Sequence, residues 1–144
     1  MNLRPAIPPD CWRLAANLRD CDRQELALSG EGSEGFKVIR AWHGSPICEA
    51  IETPSGELAG IWGVQPLSLG IGSIWMLGTP ELESIPLSFL RACKPSIQKA
   101  HAQYPTLACA PWRENALHLN WLRWLGFTQN DVGHPHFIPH YRHV

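Results

Sequence analysis

The spacing of apolar positions changes several times along this chain, and each change marks an element. Leu3-Arg4-Pro5-Ala6 predicts a short first strand. Pro8-Pro9-Asp10 then opens a helix. Proline suits a first turn, whose N–H groups have no helical acceptor, and an acid there suits the dipole. Trp12, Leu14, Ala15, Leu18 and Cys21 or Asp22 follow at helical spacing. A second helical piece is expected over 22–28, ended by Ser29-Gly30. A third, capped by Ser33, runs through Phe36, Val38, Ile39 and Trp42 to Gly44 and Pro46.

The middle of the chain reads as strands. Residues 47–52 and 58–67, separated by Thr53-Pro54-Ser55-Gly56, have the pattern of a hairpin with turn chemistry between its arms. A second turn at 68–72 leads into Ile74-Trp75-Met76-Leu77, so three antiparallel strands are expected here. From Thr79 the period becomes helical through Leu82, Ile85, Phe89, Leu90, Cys93 and Ile97, which predicts one helix to about Gln103. Pro86 and Pro95 lie inside it. Each costs roughly 3 kcal/mol in a regular interior, so a kink or an irregular first turn is expected. The apolar run 107–110 is a strand, and 115–127 (NALHLNWLRWLGF) is a compact helix stopped by Gly126. Leu117, Trp121, Trp124 and Leu125 are its expected core stripe. A last strand is expected at 136–141. The order predicts a mixed α/β fold, a largely antiparallel central sheet flanked by helices, in a single domain spanning 1–144.

Composition narrows the classes without naming one. A chain of 144 residues with 44% hydrophobic and 17% charged residues has enough apolar mass for one full core. A net charge of −1 gives no electrostatic case for nucleic acid or an anionic membrane surface. No apolar run approaches the ~18–20 residues of a membrane span, and the first ten residues have no signal core. Five cysteines without a CxxC pair read as reduced, mostly buried thiols in a protein made in a cytoplasm.

Two stretches resemble a known family. Leu3-Arg4-Pro5-Ala6 with Asp10, and the strand–helix unit ending in Asn115…Gly126-Phe127, are similar to the first and last conserved blocks of the GCN5-related (GNAT) acyltransferases. The resemblance implies a GNAT-like acyl-CoA acyltransferase fold. A closer likeness is to a group of tailed-phage proteins that includes the small internal virion protein of T7-like podophages. It rests on Asn17-Leu18-Arg19…Asp22-Arg23-Gln24-Glu25, Trp75-Met76-Leu77-Gly78-Thr79 and Trp121-Leu122-Arg123-Trp124-Leu125-Gly126-Phe127.

The family's chemistry is not matched residue for residue. The resemblance implies a Gln/Arg-x-x-Gly-x-Gly/Ala loop after the strand 74–77, with backbone N–H groups aimed at the coenzyme A diphosphate. This chain has Leu77-Gly78-Thr79-Pro80-Glu81-Leu82-Glu83. Pro80 removes a donor, Thr79 is placed to cap the helix with its own hydroxyl, and Glu81 and Glu83 repel an anion. The family often has a tyrosine seven residues after the asparagine, as the acid for the departing thiolate. That position is Leu122. For an active enzyme the candidate catalytic residues are Glu49, Glu52, His118 and Asn115, with Leu77, Gly78, Thr79 and Asn115 facing the cofactor. The bland reading of His118 is a hydrogen-bonded histidine at the core edge.

Other clusters are weighed in the same way. His134, His136, His140 and His143 lack cysteine or carboxylate partners at metal-ligand spacing, and read as a polar, solvated tail. Arg19, Asp22 and Glu25, three apart on a helix, are either a local ion-pair ladder or part of a contact or a remnant substrate pocket. Exposed tryptophans, with Trp12, Trp42 and Trp112 as candidates, would mark an interface. The expectation is a phage-encoded, GNAT-like domain with a degenerate coenzyme A site and no cofactor. It would act in a virion through contacts with other phage or virion proteins or with its own copies, and would lie in the host cytoplasm before assembly. The alternatives are an N-acyltransferase that moves an acetyl group from acetyl-CoA to an amine, and a non-virion phage protein that modulates a host factor.

Overall fold

The structure, a computed structural model, describes residues 1–144. In chain order the elements are β1 (Asn2–Pro5), α1 (Pro8–Ala16), α2 (Asp20–Ala27), α3 (Glu34–His43), β2 (Ile47–Glu52), β3 (Leu58–Ser68) and β4 (Ile71–Gly78). A 3-10 turn (Pro80–Ser84) follows, then α4 (Pro86–His101), β5 (Thr106–Cys109), α5 (Ala116–Trp124), β6 (Thr128–Gln129) and β7 (His140–His143). Local chemistry explains several of the boundaries. The Asp10 carboxylate accepts from the Ile7 N–H at 2.9 Å and from both terminal guanidinium nitrogens of Arg4, Nη1 and Nη2, at 2.7 and 2.8 Å, which fixes β1 to the mouth of α1. Ser33 Oγ accepts from the Phe36 N–H and so caps α3. Gly126, at φ +89°, ends α5 and lets the Phe127 N–H reach the Leu122 carbonyl at 3.0 Å.

The strands form one seven-stranded sheet in the order β1-β2-β3-β4-β5-β7-β6. Every pairing is antiparallel except β4 with β5. Helices α1 and α3 cover one face with Leu14, Val38, Ala50 and Ile61. Helices α4 and α5 cover the other with Trp62, Val64, Ile97, Leu107, Leu122 and Phe127. A register shift where Glu52 pairs with Leu58 but Ile51 with Gly60 leaves one extra residue in β3. Ala59 and Ile61 therefore face opposite sides, against the ordinary period of two.

Four expectations are corrected. The helix expected over 79–103 is split: the 3-10 turn comes first and Pro86 stands at the first position of α4, where its missing N–H costs nothing. Pro95 is tolerated inside α4 at an exposed position. The stripe of α5 that faces inward is His118, Trp121, Leu122 and Leu125, at i, i+3, i+4 and i+7, while Leu117 and Trp124 face out. Of the four C-terminal histidines, His134, His136 and His143 are exposed as expected and only His140 departs from the solvated reading. His140 is buried in β7 with Nδ1 on the Ile138 carbonyl, His143 Nδ1 meets Thr106 Oγ1 at 2.8 Å, and His134 Nδ1 accepts from the N–H groups of His136 and Phe137. The last strand lies at 140–143 and its hairpin partner β6 was not expected. No group of three or more His, Cys, Asp or Glu side chains is arranged to hold a metal ion. No helix is long and apolar enough to cross a membrane.

Candidate functional site

The one parallel junction opens a cleft in the sheet. β4 and β5 pair only from Ile71↔Thr106 to Ser73↔Ala108. Beyond Ser73, β4 stays with β3 as far as Gly78, whereas β5 stays with β7 as far as Cys109. Between the parted ends lies a cavity of about 560 Å³. Its wall includes Ile74 and Met76 from the α4/α5 face, Trp75 and Leu77 from the α1/α3 face, and Cys109 and Pro111 from the end of β5. It thus passes through the gap between the strands.

Helix α2 holds both ends of the parted strands. At the β4 end, the Arg19 N–H donates to the Gly78 carbonyl at 2.9 Å, and the Gly78 N–H donates to Asp22 Oδ2 at 2.8 Å. Arg19 Nε pairs with the same carboxylate oxygen at 2.8 Å. A Cβ on Gly78 would stand 2.9 Å from Arg19 Nε, so the side chain of Arg19 can lie there only over glycine. At the β5 end, Glu25 Oε1 accepts from the Trp112 N–H at 3.0 Å, and Oε2 accepts from Asn115 Nδ2 at 3.1 Å and meets His118 Nδ1 at 3.2 Å. Asn115 Oδ1 in turn caps α5 by accepting from the His118 N–H.

The series Arg19, Asp22, Glu25 is therefore only partly a local ladder. Arg19 and Asp22 do pair, but Glu25 leaves the helix and forms the hub of a cluster with residues about ninety positions away. Burial pushes the Glu25 carboxyl up, and the bond and charge of His118, the Trp112 N–H and the Asn115 amide outweigh it, leaving the pKa below the ordinary 4.5. The carboxylate is ionised near neutrality, with one partner on Oε1 and two on Oε2. Glu25 and His118 both line the cavity.

The other candidates fall elsewhere. Glu49 lies on the α4 face and pairs with Lys99 Nζ at 2.9 Å; Glu52 is bound by Arg4 Nε at 3.2 Å and by Asn2 Nδ2. Neither lines the cavity. Trp12 is 54% exposed, whereas Trp42 is half-buried with its indole N–H on the Ala6 carbonyl at 2.8 Å, and Trp112 is half-buried beside Glu25. Trp124, exposed on α5 beneath Lys94, was not among the expected surface aromatics. All five cysteines are free thiols. Burial pushes those of Cys48 and Cys109 up to about 12 and those of Cys11 and Cys93 up to about 11, and raises that of Cys21 too, which disfavours the thiolate form in each.

No protein-family model matches this sequence, and no curated protein does. Solved structures match it over nearly its whole length. The GNAT domain of S. lividans PAT superposes with a TM-score of 0.75 at 12% identity, over 99% of this chain and 89% of that one. The ribosomal-protein-alanine N-acetyltransferase from Brucella melitensis gives 0.70 at 15% identity, over all of both chains. The fold is that of the GNAT acetyltransferases. A third example, the PaiA N-acetyltransferase from Thermoplasma acidophilum in complex with coenzyme A, gives 0.68 at 14% identity, over 99% and 98% of the two chains. At these identities the likeness is one of fold.

Within the GNAT fold, the segment after β4 follows the sequence's own capping chemistry. The Gly78 N–H is held by Asp22 and the Thr79 N–H by the Ala59 carbonyl at 2.9 Å. The Glu81 N–H is held by Thr79 Oγ1 at 3.2 Å and the Leu82 N–H by the Thr79 carbonyl at 3.1 Å. Pro80 has no N–H. The Thr79 hydroxyl itself donates to the Leu58 carbonyl at 2.8 Å. Seven residues after Asn115, Leu122 is 2% exposed and carries no proton toward the cavity. Asp22 and Glu25, read in sequence as part of an ion-pair ladder, a contact or a remnant substrate pocket, organise the site. Their long-range partners left no signal in the spacing.

Proposed function

We propose that this chain keeps the GNAT scaffold without the family's grip on coenzyme A, and that it serves as a tailed-phage virion protein acting through protein contacts. The observation that carries the first part is the closed segment after β4. Between Gly78 and Leu82 each backbone N–H already has an acceptor within the protein, and Pro80 has none to offer. A diphosphate would have to displace those bonds beside the carboxylates of Glu81 and Glu83. Leu122 in place of the family's tyrosine supports the same reading. The virion role is supported by the three segments that resemble the tailed-phage group and by the exposed Trp12 and Trp124, large aromatic surfaces of the kind enriched at interfaces.

The test is calorimetry with coenzyme A and acetyl-CoA, with mass spectrometry of purified particles. No heat of binding at millimolar ligand, together with the chain present in particles, is expected. Micromolar binding would overturn the loss of the grip. Absence from particles would favour the non-virion phage protein that modulates a host factor.

A second reading has one observation in its favour. The parted strands enclose a cavity lined by an ionised Glu25 beside His118, a carboxylate–imidazole pair that could serve an N-acyltransferase as the acceptor of the proton an amine loses on acylation. Its residues would be Glu25, His118 and Asn115, and it stands if acetyl-CoA binds and is consumed in the presence of an amine.

A further inference from the structure

The loop between β6 and β7 contributes to the β5 end of the cavity through bonds that neither reading uses. It runs antiparallel to the segment after β5. The Arg113 N–H donates to the His136 carbonyl at 2.7 Å, the Ile138 N–H donates to the Pro111 carbonyl at 3.1 Å, and Trp112 bridges Phe137. Trp112 is the residue whose N–H reaches Glu25, and Phe137 is half-buried and lines the cavity. The turn that leads into Phe137 is closed by a side chain. His134 Nδ1 accepts from the N–H of His136 at 3.0 Å and from that of Phe137 at 3.1 Å. A ring nitrogen that accepts carries no proton. Protonation turns both ring nitrogens into donors, so the two N–H groups would then face a cation.

The charged groups around His134 do not replace that acceptor. Arg113 donates through Nη2 to the His134 carbonyl at 2.8 Å, and its charge opposes an imidazolium beside it. Glu114 acts on the charge of Arg113. Asp131 already accepts from both terminal nitrogens of Arg113 and from the Gly133 N–H. Those bonds hold its carboxyl well below the ordinary range, so it stays ionised wherever a histidine titrates. The His136 ring lies 6.1 Å from that of His134, and both residues are exposed, so protons reach them from solvent.

We propose that His134 is a pH latch: as a neutral imidazole it closes the turn that seats Phe137 at the cavity, and on protonation it releases that turn. The closed turn excludes a proton that the open one takes up, so closure strengthens as pH rises and is lost as pH falls through the histidine range. The bonds of Arg113 to Asp131 and to the two carbonyls do not titrate there. They keep the rest of the loop in place while the turn opens.

Amide hydrogen exchange read residue by residue in 1H–15N spectra tests this without any ligand, so the outcome is independent of both functional readings. Exchange is expressed as protection relative to the unfolded chain at the same pH. Between about pH 8 and pH 5, protection of the His136 and Phe137 amides is expected to fall about tenfold, the loss of two hydrogen bonds of ordinary net strength. Amides of β3 should keep theirs, which separates local release from acid unfolding. His134→Asn places a carbonyl oxygen where Nδ1 stands and does not titrate, so both amides should stay protected at either pH. His134→Ala should leave both weakly protected at either pH, and His136→Asn should leave the wild-type response intact. Equal protection of the two amides at both pH values in the wild-type chain overturns the proposal. So does a pH response that persists in His134→Asn or disappears in His136→Asn.

Discussion

The end of β4 and the apolar core under α4 and α5 treat polar groups in opposite ways. Around Gly78 the protein supplies a matched acceptor for each donor, drawn from Asp22, Ala59 and Thr79. In the core the indole donors of Trp62 and Trp121 are left without an oxygen or nitrogen partner. The difference separates two ways of burying a polar group. A segment whose hydrogen bonds are closed is a structural joint, whereas the two indole N–H groups are unmatched polar atoms sealed within apolar packing. The scaffold that both occupy does not decide between them, because function resides in sites grafted on folds.

Breaking the joint should cost most. Asp22→Ala removes a carboxylate that is 3% exposed, strands the charge of Arg19 and leaves the Gly78 N–H without its acceptor. Loss of one partner of a buried pair costs about 3–5 kcal/mol, which urea denaturation would register as a lower midpoint at unchanged slope. A loss below about 1 kcal/mol would mean that water replaces the carboxylate and that the joint is open after all. Thr79→Val comes next. It keeps the shape but deletes the donor to Leu58 and the acceptor for Glu81, a change worth about 1–3 kcal/mol.

The β5 end gives a pH-dependent version of the same comparison. The folded-state pKa values of Glu25 and Asp10 are both lowered; burial opposes this in each, and His118 and Arg4 respectively lead the groups that outweigh it. A lowered carboxyl pKa contributes stability that is complete above the ordinary carboxylate range and is lost as pH falls through the folded-state value. Stability should therefore fall on acidification from about pH 5 downward. Glu25→Gln should flatten part of that slope and cost roughly 1–3 kcal/mol at neutral pH. A slope identical to wild type would remove Glu25 from the hub.

These residues show where the sequence was legible. Periodicity located each of the five helices, and turn chemistry placed the β2–β3 hairpin, because both signals are local. Ser33 and Thr79 were recognisable as caps for the same reason. The Asp22–Gly78 bond and the Glu25–Trp112–Asn115–His118 cluster join segments that are distant in sequence, and three-residue spacing on α2 carries no trace of them. The Leu117 stripe on α5 was misjudged by one position. Leu117, Trp121 and Trp124 fit helical spacing as well as His118, Trp121, Leu122 and Leu125 do, and only packing on the sheet chooses between the two. Among the C-terminal histidines only His140 misled, for a different reason: it is buried and satisfied by the carbonyl of Ile138, a partner that composition cannot reveal.

The smallest expected effect bears most directly on the unmatched donors of the core. Trp121→Phe deletes an N–H that no oxygen or nitrogen accepts, and it keeps an aromatic ring against Phe89. At the joint, removing a polar atom abandons a partner; here it abandons none, so the lost apolar area is opposed by relief of an unmatched donor. The net change in unfolding free energy should stay within about 1 kcal/mol of wild type, and thermal and urea denaturation should agree on that. A loss as large as that of Asp22→Ala would mean that Trp121 donates to something in the folded protein after all. The contrast between a closed joint and a core with unmatched donors would then fail at its weaker half.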